Sequence, residues 1–218
     1  MLKSMRLALT ATSLFALGTS ASHATLFDRG GGLIYDDVLN VTWMQDALYG
    51  QTLGVPNGAF NHVNALDFAA NLSYYDSVRD TYWDDWRLPQ VFTPVAGYDT
   101  TGLSSELAYM YYINLGYAPE YTHNRNMPEP TSSNYNPFIN LTYRAYWSET
   151  PGNRSGTAWA LHFHFGSQEL GGAGDLSRVW LVRDGDVAAR SVPEPGTLAL
   201  LGLGLAGVGL ARRRKRPA

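Results

Sequence analysis

Hydrophobic and polar positions alternate through the interior of the chain, and the period of that alternation changes from segment to segment. Leu33-Ile34-Tyr35 and Val41-Thr42-Trp43 are short β-prone runs. Asp36 to Asn40 between them carry turn chemistry, so a hairpin is expected. Over residues 60–72, Phe60, Val63, Leu66 and Ala70 recur at helical spacing behind Asn57-Gly58, which predicts a helix. A second helix is expected over residues 104–115: a serine can cap it, Glu106 lies in its first turn at the positive dipole end, and Gly116 ends it. Residues 145–148 and 157–165 read as strands. In the second, Trp159, Leu161, Phe163 and Phe165 share one face, and Ala158, Ala160, His162 and His164 share the other. Residues 171–174 suggest a flexible Gly-rich connection, and 178–183 a last strand before an Asp184-Gly185 turn. Residues 117–142 are polar and rich in Pro and Asn, as in a surface loop. No internal repeat is evident, and helices early with strands late predict an α+β layer.

The two ends follow other patterns. Lys3 and Arg6 precede an apolar run over residues 7–17, and Ser22-His23-Ala24 places small residues at −3 and −1 of a cleavage site. Residues 1–24 are therefore expected to be a signal peptide cut after Ala24. At the other end, Pro193-Glu194-Pro195 precedes a Gly-rich apolar segment, 197–211, and an Arg/Lys cluster at 212–216. As a helix that segment would span about 22 Å, short of the roughly 30 Å hydrocarbon core. The basic cluster would hold its end on the cytoplasmic side. The three-part tail, residues 191–218, resembles the PEP-CTERM sorting signal of Gram-negative bacteria. That resemblance implies transient inner-membrane anchoring through 197–211, cleavage by an exosortase near the Pro-Glu-Pro, and delivery to the cell surface or outside. Its hosts usually make an exopolysaccharide matrix. Gly202-x-Gly204-x-x-Gly207 follows no strand and opens no βαβ unit, so it is not a dinucleotide fingerprint.

Composition sharpens this picture. The 218 residues suit one domain, 25–190, between the two terminal signals. The absence of cysteine excludes disulfides, thiolate metal sites and a cysteine nucleophile. In residues 25–195, nineteen acids face nine arginines and no lysine. An acidic surface argues against nucleic acid and anionic lipid as partners, and allows an anionic glycan only through a local Arg patch.

Several segments of this domain resemble the DUF1566 family, related to the C-terminal domain of a Legionella collagen-like adhesin. They are the run from Gly30 to Asp37 with Leu39, Asn40 and Trp43, the Ala-rich helix, Asp84-Asp85-Trp86-Arg87-Leu88-Pro89, Tyr146-Trp147-Ser148-Glu149-Thr150, and the strands around Trp159 and Trp180. The resemblance implies a single C-type-lectin-like domain, akin to formylglycine-generating enzymes, with two helices and short, mainly antiparallel strands. The cysteine that such an oxidase needs is missing. Physically, Trp86 and Trp147 suit a core, Arg87 suits a carboxylate such as Asp84 or Asp85, or backbone carbonyls, and Pro89 can open a turn or short helix.

His162 and His164 at i and i+2 could share a metal, with Glu149 or Glu169 completing the set. The alternative is a plain strand face, and no cofactor is expected. Asp36/Asp37, Asp84/Asp85 and Asp184/Asp186 could supply a glycosidase pair, although acids beside turns more often cap them. Tyr109, Tyr111, Tyr112, Tyr117 and Tyr121 could stack on sugars or pack the second helix. The resulting expectation is a non-catalytic module binding polysaccharide or another matrix component. Alternatives are a glycan hydrolase using carboxylates or a His162/His164 metal, and a structural matrix protein without a discrete ligand.

Overall fold

In the computed structural model, which describes residues 26–119 and 136–187, the chain opens with β1 (Leu26–Asp28), β2 (Leu33–Asp36) and β3 (Val41–Met44). A short helix α1 (Tyr49–Thr52), β4 (Ala59–Phe60) and α2 (His62–Ala70) follow. Then come β5 (Tyr74–Asp76), β6 (Thr81–Trp83), β7 (Gly97–Tyr98), α3 (Glu106–Tyr109), β8 (Ala145–Pro151), β9 (Thr157–His162), β10 (Ser167–Gly172), β11 (Ser177–Arg178) and β12 (Val182–Asp184). The terminal segments, with the expected cleavage after Ala24 and the Pro193-Glu194-Pro195 motif, lie outside the described residues, as does Tyr121.

The fold is mixed α+β with mainly antiparallel strands. One sheet has the order β1-β2-β3-β12, a second β4-β11-β8-β9-β10-β7, and β5 pairs with β6 alone. Only the Arg178–Tyr146 pairing of β11 with β8 is parallel within the sheets. Strand residues alternate between two cores, as a period-2 chain buried on both faces must. Ile34, Trp43, Tyr146, Leu161, Trp180 and Val182 enter one core, and Leu33, Met44, Trp147, Ala160, Val179 and Leu181 the other. Leu107, Met110 and Tyr111 close the first core, and Ala65 and Ala69 of α2 the second.

The expected hairpin forms as β2 and β3, with Ile34 opposite Trp43. Its turn is repeated elsewhere, so the expectation of no internal repeat is corrected. Tyr35-Asp36-x-Val38-x-Asn40-x-x-Trp43 matches Tyr75-Asp76-x-Val78-x-Asp80-x-x-Trp83. In each turn the aspartate Oδ1 accepts from the backbone N–H groups two and three residues on, at Val38 and Leu39 or at Val78 and Arg79. In each, the tyrosine hydroxyl donates to the side chain five residues on, Asn40 or Asp80. Asn40 and Asp80 both hold positive φ, 52° and 48°, a conformation that short polar side chains tolerate. The repeat eluded the sequence reading because the matching positions are few and irregularly spaced. The second hairpin docks on the first: Tyr74 donates to the Gly31 carbonyl at 2.7 Å, and Arg79 to that of Arg29 at 2.7 Å.

The helices form with different faces or lengths than expected. Asn61 caps α2 by accepting from the Asn64 N–H. Its buried face is His62, Ala65 and Ala69, while Val63 of the expected stripe is 61% exposed. Small alanines let the helix lie close against the sheet, and Phe60 leaves the helix for β4, opposite Ser177. Ser105 caps α3, which continues as a π-helical segment, Met110–Asn114, to Gly116. Tyr109, Tyr111, Tyr112 and Tyr117 are buried, so they pack this helix and its exit rather than offering a stacking surface.

Three strand expectations change. β9 ends at His162, where the chain turns so that the N–H groups of Phe165 and Gly166 both reach the His162 carbonyl. Gly171 and Gly172 belong to β10 instead of a flexible connection. The last strand divides between the two sheets. Ser177–Arg178 joins one and Val182–Asp184 the other, with the Trp180 indole N–H donating to the Met44 carbonyl at 2.8 Å between them. Within the expected loop at 117–142, Phe138 is buried and Ile139 bridges to Asp46.

Candidate functional site

The residues of the resemblance are mostly core. Trp86, Leu88, Tyr146, Trp147 and Ser148 are all buried. Pro89 opens no turn or helix; it lies in extended chain, its carbonyl accepting from the Glu149 N–H at 2.9 Å. Arg87 pairs with neither Asp84 nor Asp85. Its guanidinium grips Glu106 through two bonds of 2.8 Å, and reaches Asp184 at 2.6 Å and the Leu88 carbonyl. Burial disfavours the Arg87 charge, yet Glu106 and Asp184 outweigh it and raise its pKa. Asp85 instead takes Arg183, whose guanidinium lies 4.1 Å from the Trp83 ring centroid. The Tyr146 hydroxyl is pushed up to about 12 by burial, although it accepts from the Thr142 N–H.

Of the six candidate acids, Asp36, Asp85, Asp184 and Asp186 are engaged by turns and arginines. Asp36 holds its turn, Asp184 binds Arg87, and Asp186 forms a two-bond pair with Arg29. They serve turns and ion pairs.

A pocket of about 330 Å³ opens on the six-stranded sheet, on the face that carries Trp147 and Ala160. Its floor comes from small residues beside one large one. Ala145, Ala160 and Gly171 adjoin Trp147. A Cβ on Gly171 would lie 3.0 Å from the indole Cη2, so glycine is what permits this close approach. Trp147 is fixed by its N–H to the Phe60 carbonyl at 2.9 Å and by the edge of His62, itself bonded to the Ser148 carbonyl. The walls are polar: Arg144, Arg178, Ser177 and Asp175 with His162 and Glu169.

His162 thus reaches the pocket, and its Nε2 stands 3.8 Å from Glu169 Oε2. Burial lowers the His162 pKa against the pull of Glu169, and His164 lowers it further. Ser167 fixes the other Glu169 oxygen with a 2.6 Å bond. His164 does not line this pocket. Because β9 ends at His162, the i, i+2 alignment expected of a continuous strand is lost. His164 is buried against Phe165 with its Nε2 unpartnered, and Glu149 is engaged by Gln90. Among the described residues, no three His, Cys, Asp or Glu side chains are grouped so as to hold a metal ion.

Sequence reading singled out His162 and Glu169 but missed Arg144 and Arg178. Nothing in their spacing signals a site, because β11 and β8 become neighbours only in the folded sheet.

Among the described residues, no helix is long and apolar enough to cross a membrane. No curated protein and no solved structure matches the chain. The PEP-CTERM protein-sorting motif matches residues 191–215, which include Pro193, Glu194 and Pro195. This match supports an exported protein, anchored at its C-terminal segment before an exosortase cleaves it.

Proposed function

We propose that the exported domain is a non-catalytic module that binds polysaccharide or another matrix component at the pocket beside Trp147. The DUF1566 resemblance and a lectin-like reading of the fold belong to this proposal. The observation that carries it is the pocket itself. A floor of Ala145, Leu170 and Gly171 over the buried Trp147, walled by Arg, Asp, Glu, His and Ser side chains, is the mixture that suits a sugar ring with its C–H face and its hydroxyls. Delivery by an exosortase would place the module where such polymers lie.

The test is co-sedimentation of the processed protein with the host's own exopolysaccharide, with and without EDTA, while released reducing sugar is assayed. Saturable, EDTA-indifferent binding without sugar release is the expected result. Sugar release would turn the reading to a hydrolase, and loss of binding in EDTA would bring a metal into it. Absence of any binding would leave a structural matrix protein.

A further inference from the structure

The arginines of this acid-rich domain have carboxylates to choose from, and four of the seven among the described residues take one. Arg29, Arg79, Arg87 and Arg183 each hold an aspartate or glutamate within 2.8 Å. Arg144, Arg154 and Arg178 form no ion pair among the described residues, and of these Arg144 and Arg178 come together. Both line one end of the same pocket. The Arg178 Nε is shielded from solvent and has no hydrogen-bond partner. Burial and the neighbouring Arg144 charge both lower the Arg178 pKa, the signature of a cation whose counter-charge is missing. Arg144 rests on the Tyr143 ring at 4.8 Å, which orders it without neutralising it. The two carboxylates of the pocket are otherwise engaged: Glu169 with Ser167 and His162, and Asp175 with the Gly172 N–H.

We infer that Arg144 and Arg178 form an anion-recognising end of this pocket, and that the polymer it takes carries carboxylates on its sugar rings, as uronic-acid polysaccharides do. This rests on the binding reading above. Guanidinium groups match a carboxylate in charge and in paired donor geometry. Glu169 and Asp175 decide between a glycan and an acidic peptide. They repel a second carboxylate, but accept hydrogen bonds from the hydroxyls of a sugar that has placed its single carboxylate on the arginines. The overall acidity of the domain confines the attraction for a carboxylate to this arginine end of the pocket.

The experiment uses the processed protein with polygalacturonate as the probe, its methyl-esterified form as the uncharged control, and poly-glutamate as competitor. The wild-type protein is expected to prefer the acid form. Arg144→Gln and Arg178→Gln should each weaken that binding about ten-fold or more, since each removes a charge-assisted hydrogen-bond donor. Binding of the ester should stay as it is. Arg144 is exposed, so its variant keeps the test independent of folding, and thermal midpoints check both variants. Equal affinity for acid and ester, undiminished binding by both variants, or equal competition by poly-glutamate would overturn the inference. If the host exopolysaccharide binds while the arginine variants behave as wild type, only the inference fails. If no polymer binds at all, the binding reading fails with it.

Discussion

Two residues carry more of the fold than their side chains suggest. Arg87 is the cation of a buried carboxylate: Glu106 is 3% exposed and also accepts from the Gln90 N–H. Removing the guanidinium leaves that charge buried without its partner, whereas the Asp184 arm, 78% exposed at the carboxylate, contributes little. Arg87→Gln should therefore cost about 3–5 kcal/mol, read from urea midpoints, while Asp184→Asn stays within about 1 kcal/mol. Gly32 is the second residue. Its φ of +76° disfavours any side chain, and a Cβ there would lie 2.5 Å from the Tyr74 hydroxyl oxygen. Gly32→Ala should cost about 1–2 kcal/mol from the backbone alone, and more from the displaced tyrosine. On a Tyr74→Phe background, which lacks that oxygen, Gly32→Ala should cost only the backbone part; an equal cost on both backgrounds would refute the clash. Glu106 was legible as a residue near the positive end of a helix, but not as the partner of Arg87. That pairing depends on how two remote segments pack, which no local pattern records.

The repeated hairpin turn separates local geometry from environment at the scale of the element. Asp36 and Asp76 make the same two bonds to backbone N–H groups, yet their carboxyls shift in opposite directions. Asp36 is raised above its ordinary value of 3.8 because burial outweighs its bonds to the Leu39 and Val38 N–H groups and the Asn114 amide. At Asp76 burial also works against the charge, but Arg79 and the Trp83 indole N–H overcome it and the carboxyl is lowered. The linkage signs follow. With Asp36 the folded chain binds its proton more tightly than the unfolded chain, so stability falls as pH rises from about 3.8 through the raised value. Asp76 contributes stability that is present above its unfolded value and lost as pH falls through the lowered folded one. Against wild type, Asp36→Asn should gain stability as pH climbs out of that acid window, and Asp76→Asn should lose it. Urea midpoints measured from acid to neutral pH decide the matter, and parallel curves for the two variants would refute it. At this scale the hairpin and the existence of both helices were legible, because turn chemistry and helical spacing are local. The buried face of α2 was not, because the sheet selects alanines over Val63. Nor was the end of β9, where a turn after His162 sends His164 into the interior.

For the whole molecule, the ends and the middle were legible to different degrees. A sorting tail is a linear pattern, and Pro193-Glu194-Pro195 with its apolar segment and basic cluster can be read directly. The pocket is an absence, made where Gly171 and Ala160 leave room beside Trp147, and it exists only once β8, β9, β10 and β11 are assembled. The charge distribution ties the ends to the middle. Five of the basic residues lie at 212–216, while the segment before Pro195 is strongly acidic. The basic cluster favours the cytoplasmic side of the membrane, so the acidic domain would lie across the bilayer until the chain is cut. Cleavage near Pro193-Glu194-Pro195 then removes the cluster together with the apolar segment. In an exosortase-bearing host, intact-mass measurement of the wild-type protein should accordingly give a chain that begins at Thr25 and lacks residues 212–216. Replacing Pro193, Glu194 and Pro195 with alanine should keep the basic cluster on the protein and hold it in the membrane fraction, with the Trp147 pocket unaltered. A wild-type protein recovered from the surface with its arginine cluster intact would overturn exosortase processing. An alanine variant trimmed as efficiently as wild type would show that some other feature of the tail directs the cut.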